Sequence, residues 1–141
     1  MKKKGLRLLA LAVVMLVLLL PGGYFDRGLL SQEKRFKHLT VGEAAAMLQV
    51  KKNEPDFVLL DVRTPQEFAG ERLENAVNLD YYGLDFRESL DRLDKGKVYL
   101  VYCRTGRRSS LTLMIMEELG FREAYNVLGG IVQWKAEGLP L

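Results

Sequence analysis

The segment Val98–Leu111, VYLVYCRTGRRSSL, carries the reactive residue types of this chain at the closest spacing. Five apolar or aromatic residues run into Cys103, the single cysteine of the 141 residues, and Arg104, Thr105, Gly106, Arg107, Arg108 and Ser109 follow it. A cysteine that ends an apolar strand is ordinarily a small buried hydrophobe. Three arginines in the next five positions give such a residue nothing, whereas a thiolate gains from them. Gly106 lets the turn adopt backbone angles in which successive N–H groups face inward as an anion-binding nest. The helix expected after it leaves its first-turn N–H groups unpaired and adds partial positive charge. Together these features predict a thiol that ionises below the roughly 8.5 of an unperturbed cysteine, beside a place for a negatively charged substrate. Individually, Thr105 and Ser109 also suit turn and cap positions, and an arginine in such a loop can be a solvated surface residue. With one Cys and one His, neither a protein-built metal site nor an intrachain disulfide is expected, and no cofactor is called for.

The elements that must position this loop alternate between strand and helix signals. Thr40 with Glu43 forms a capping box ahead of EAAAMLQV, and FVLLDV (Phe57–Val62) is a short apolar run suited to a sheet covered on both faces. Thr64-Pro65-Gln66-Glu67 combines an N-cap, a proline at the first helical position and an acid at the third. Ala76–Leu79 reads as another strand, and Asp85 with Glu88 opens a further capped helix. Lys97–Tyr102 is the central strand; a helix then runs from Arg107 to Leu119 and stops at Gly120. Ala124–Val127 gives a last strand, and IVQWKAEG a last short helix. This alternation implies an α/β fold, a mostly parallel sheet with helices on both faces, whose ligands sit at the carboxyl ends of the strands. Cys103 lies at such an end.

The first 23 residues stand apart. MKKKGLRLLALAVVMLVLLLPGG has a basic start and an apolar run, Leu8–Leu20, and reads as a signal peptide or a signal-anchor helix. Thirteen residues at about 1.5 Å each reach only ~20 Å, short of a roughly 30 Å hydrocarbon core, which suits a signal peptide. The absence of a small-x-small site after the run suits an uncleaved anchor. Four basic residues lie on each side, but Lys2, Lys3, Lys4 and Arg7 crowd the run directly, which places the N-terminus inside and the rest outside the cytoplasm. The expectation is an extracytoplasmic protein, periplasmic if bacterial, anchored to the membrane through this segment or secreted. Residues 24–39 read as a polar linker, with His38 inert in it, and 40–141 as one domain. Up to residue 37 there are eight Lys or Arg against two acids, so the basic pI near 9.0 belongs to the leader and no nucleic-acid partner is implied.

Four stretches together resemble the rhodanese family of sulfurtransferases: LLDVRTPQEF (Leu59–Phe68), NAVNL (Asn75–Leu79), VYCRTGRRSS, and LGFREAYNVLGGIVQW ending at Trp134. The resemblance covers about Thr40 to Leu141. It implies a rhodanese-like three-layer α/β/α fold with a five-stranded central sheet and Cys103 as the catalytic residue. It also implies a persulfide held by backbone N–H groups from Arg104 to Ser109, with Arg104, Arg107 and Arg108 anchoring a small anionic sulfur donor such as thiosulfate. The acceptor would be a thiol or a cyanide-like nucleophile. Asp61 and Arg63 match the family's Asp-x-Arg signature and read as an architectural charge pair; Trp134 reads as core packing beside the active-site loop. The chain departs from the family where a Gly-His pair is usual, here Glu71-Arg72, and where a glycine is common, here Asn75. Phosphatases related to this fold place five residues between cysteine and arginine. Here Arg108 follows after four and Ser109 holds the arginine's place, so the loop is one residue short for phosphate. The alternative to an enzyme is a membrane-tethered persulfide carrier or a noncatalytic binding module of the same fold.

Overall fold

The computed structural model describes residues 33–141. The leader and the first part of the expected linker lie outside the described residues. Among the described residues no helix is long and apolar enough to cross a membrane.

Five strands form one sheet: β1 (Arg35–Leu39), β2 (Phe57–Asp61), β3 (Val77–Asn78), β4 (Val98–Tyr102) and β5 (Glu123–Val127). Their order is β1-β5-β4-β2-β3 and every pairing is parallel. The helices among the described residues are α1 (Val41–Lys51), α2 (Pro65–Gly70), α3 (Phe86–Asp91), α4 (Arg107–Glu118) and α5 (Gly130–Ala136). All five residues of β4 are buried, and they alternate between two cores. Val98, Leu100 and Tyr102 pack with Val41 and Ala44 of α1 and with Ile131 and Trp134 of α5. Tyr99, Val101 and the following Cys103 pack with Phe86 and Leu90 of α3 and Leu113 and Met116 of α4. The period-two geometry of a strand thus aims the cysteine at the start of α4.

The expected element order holds, with three differences. Residues 35–39, expected within the linker, form β1, in register from Arg35 opposite Glu123 to Leu39 opposite Val127. Only Phe36 and Leu39 are partly buried there, and the charged, exposed remainder protects an edge strand at the expense of any hydrophobic alternation. The capping box expected at Thr40 and the N-cap expected at Thr64 are present, the latter also as a capping box with Glu67. The third expected cap is not: Asp85 makes no cap bond to α3, and its carboxylate instead accepts from the Ser89 hydroxyl at 2.9 Å. β3 is two residues long rather than four.

Candidate active site

The chain leaves β4 at Cys103 and enters α4 at Arg107, and the intervening loop wraps the sulfur. Cys103 is buried, and its Sγ accepts from the Gly106 backbone N–H at 3.1 Å and from the Ser109 hydroxyl at 3.4 Å. Burial is the largest single influence on the thiol and pushes its pKa up. The Ser109 hydroxyl and the backbone N–H groups of Ser109, Thr105 and Gly106 oppose it, and together they hold the pKa below the ordinary thiol value. Gly106 makes this possible by adopting φ +91° as the N-cap of α4.

A second glycine fixes the loop from outside. Gly130 sits at φ +58°, and a Cβ there would overlap the Cys103 carbonyl oxygen and come 2.6 Å from the Arg104 carbonyl carbon. Without that methyl, the N-terminus of α5 docks on the loop: Ile131 N–H donates to the Cys103 carbonyl at 2.9 Å and Val132 N–H to the Arg104 carbonyl at 3.1 Å. The loop's carbonyls are thereby held outward, which leaves its amides to face the sulfur. In the sequence, the role of Gly130 leaves no trace beyond the adjacent Gly129-Gly130 pair.

The three loop arginines diverge. Arg108 forms a two-pronged ion pair with Glu67 of α2, at 2.8 and 2.9 Å, and its guanidinium lies 5.4 Å from the Tyr82 ring centroid. That bond, opposed by burial and aided by the Thr64 backbone, brings the Glu67 carboxyl down to about 2. Arg104 is exposed and borders a groove of about 320 Å³ together with Arg63, Glu67, Val132 and Lys135. Arg107 faces a different groove, with His38, Thr105 and Asn126. His38, expected inert in a linker, lies on β1, its Nδ1 2.9 Å from the Asn126 amide nitrogen. Of the candidate anion anchors, then, Arg104 and Arg107 have no ion-pair partner among the described residues and Arg108 has one already. Sequence spacing could not reveal Glu67 as that partner, because the pair is 41 residues apart and Glu67 is accounted for as the α2 cap.

Beneath the loop, Asp61 and Arg63 form a buried ion pair: Arg63 Nη2 is 2.6 Å from Asp61 Oδ2 and Nε is 3.0 Å from each carboxylate oxygen. Arg63 also donates to the Glu71 carbonyl at 2.6 Å, and Tyr102 accepts from Leu73 N–H at 3.1 Å, so this pair anchors the 71–75 segment. Where the resembled family has Gly-His, Glu71 pairs with Lys135 of α5 at 2.7 Å and Arg72 lies over the Phe68 ring. Asn75 adopts φ +63°, the conformation that a glycine would take without strain. Trp134 is buried in the core, donating to the Pro140 carbonyl at 2.8 Å. No group of three or more His, Cys, Asp or Glu gathers among the described residues as a metal site.

With this geometry in view, comparison with known proteins gives a consistent picture. Residues 40–137 match the Rhodanese-like domain. The chain is 36% identical over 103 residues to a thiosulfate sulfurtransferase of Coxiella burnetii, covering 73% of this chain and 88% of that protein. It is 38% identical over 104 residues to the tRNA uridine(34) hydroxylase of Cytophaga hutchinsonii; this covers 72% of the chain but only 32% of that much longer protein. Among solved structures, a rhodanese-related protein from Thermoplasma volcanium superposes with a TM-score of 0.62 at 27% identity, over 74% of this chain and 95% of its own.

Proposed function

The chain belongs to the rhodanese-like domain family, and on that premise we propose that it is a sulfurtransferase that carries sulfane sulfur on Cys103. The donor is thiosulfate or a similar small anion and the acceptor a thiol or cyanide-like nucleophile. The observation that carries this reading is the Cys103 sulfur held by the Gly106 N–H and the Ser109 hydroxyl in a loop whose side chains are basic.

In the first step the Cys103 thiolate attacks the outer sulfur of the donor. The donor's S–S bond breaks, its electron pair leaves with sulfite, and a cysteine persulfide remains. In the second step the acceptor attacks the terminal sulfur and the pair of the new S–S bond returns to Cys103. No proton, oxidant or reductant beyond donor and acceptor is consumed. The lowered pKa favours the attacking anion, and the same N–H groups stabilise the negative charge of the persulfide. Arg104 meets the incoming anion at the adjacent groove.

Thiosulfate:cyanide sulfurtransfer by the purified protein tests the reading, with Cys103→Ala as control. Turnover lost in that variant, and a mass increase of one sulfur atom on Cys103 after thiosulfate alone, are the expected results. A sulfur adduct without turnover would favour a carrier over an enzyme, and neither adduct nor turnover would reject the reading. The basic start and the Leu8–Leu20 apolar run support a location outside the cytoplasm, tethered or secreted. Protease added to intact spheroplasts should then cut the domain; full protection would reverse the assignment.

A further inference from the structure

The groove bordered by Arg104, the residue after Cys103, has more positive charge around it than it offers to a ligand. Arg63 is matched by Asp61 at 2.6 Å, Arg108 by Glu67 at 2.8 Å and Lys135 by Glu71 at 2.7 Å. Among the described residues around this groove, Arg104 is the one cation without an ion-pair partner. The most consequential of these pairings is that of Arg108, which does not itself line the groove: it lies in the first turn of α4, after the Cys103 loop, and within electrostatic reach of the sulfur. Its partner Glu67 does line the groove. The carboxylate is held on both sides: Oε2 accepts from Thr64 N–H at 3.0 Å and the Thr64 hydroxyl at 3.2 Å, while both oxygens engage the guanidinium.

We propose that Glu67 is a tethered anion that occupies Arg108 and sets donor selectivity, so that the Cys103 site favours singly charged sulfane donors over dianionic ones. This inference rests on the sulfurtransferase reading and narrows its substrate class. A monoanion meets its match in Arg104. A dianion brings a second negative charge toward the Glu67 carboxylate, which already neutralises the charge of Arg108. Specificity of this kind is set by a repulsive element as much as by an attractive one. Organic thiosulfonates and persulfides fall in the favoured, singly charged class; thiosulfate, a dianion, remains a donor but a less favoured one.

The test uses the full chain as wild type, Glu67→Gln and Thr64→Ala. Glutamine at this position still serves the α2 cap, whereas Thr64→Ala weakens the cap and keeps the carboxylate. Protection of Cys103 from iodoacetamide by sulfate and by methanesulfonate is measured at constant ionic strength, each protein relative to its own unprotected rate. Removing one carboxylate beside a bound dianion should lower the half-protecting sulfate concentration about tenfold, and that for methanesulfonate by only about threefold. Thr64→Ala should lower thermal stability and leave both values where they are. In turnover, the kcat/KM ratio of thiosulfate to benzenethiosulfonate should rise on the order of tenfold in Glu67→Gln. Equal shifts for the two inert anions, no shift for sulfate, or a Thr64→Ala protein that behaves like Glu67→Gln would each overturn the proposal. Protection involves no sulfur transfer, so a protein that binds anions as stated yet fails to turn over would count against the sulfurtransferase reading alone.

Discussion

Replacing Gly130 with alanine adds a methyl group where the Cys103 carbonyl oxygen already lies, against backbone that has no side-chain freedom with which to yield. Two costs follow. The left-handed conformation at φ +58° costs a non-glycine residue roughly 1–2 kcal/mol. Displacing α5 from the loop breaks the Ile131 and Val132 hydrogen bonds to the Cys103 and Arg104 carbonyls, at about 1 kcal/mol each. The combined loss is about 3–4 kcal/mol, which in a domain of this size lowers Tm by at least ~10 °C. Gly120 provides an internal comparison, since it too has a positive φ, +86°, but open space where its Cβ would stand. Gly120→Ala should therefore lose only the conformational part, about 1–2 kcal/mol. The variants should also separate functionally, because only Gly130→Ala disturbs the loop whose amides face the sulfur. Differential scanning calorimetry and the pH profile of Cys103 alkylation measure the two effects. Equal destabilisation of the two variants, together with an unchanged alkylation profile in Gly130→Ala, would refute the claim that α5 holds the loop in place.

Ser109→Ala removes a hydroxyl donor from the Cys103 sulfur and should raise the alkylation midpoint by about one pH unit, the size of one hydrogen bond to a charged group. Asp61→Ala leaves the Arg63 guanidinium buried without its counterion and should cost about 3–5 kcal/mol in urea denaturation. Glu67 has a folded pKa of about 2 against an ordinary 4.5, so its contribution to stability is complete above pH 4.5 and fades as the pH falls toward 2. Stability measured across that window should therefore fall less steeply in Glu67→Gln than in the wild type.

How much of this was legible in the sequence depends on where the controlling contacts lie. The central strand, the turn at Gly106 and the helix after it are local, and the sulfur's position follows from them: five apolar residues, then a cysteine, then a turn. The caps at Thr40 and Thr64 were equally local, three residues from acceptor to partner. β1 was missed because an edge strand that buries only Phe36 and Leu39 in part leaves little pattern to read, and its pairing with β5 is a long-range event. Asp85 has the composition of a cap, but Ser89 competes for its carboxylate. At the site itself, the sequence showed three arginines and could not show that they point to different places. That outcome depends on Glu67 of α2, 41 residues away in the chain, and on the approach of Gly130 from the end of β5.

The proposed chemistry depends on the ionisation of one sulfur. The rate of Cys103 alkylation by iodoacetamide, followed by mass spectrometry from acid to alkaline pH on the wild-type protein, reads it directly. The expected midpoint lies clearly below the roughly 8.5 of an ordinary thiol; a midpoint at or above that value would contradict the loop's role in making Cys103 a nucleophile.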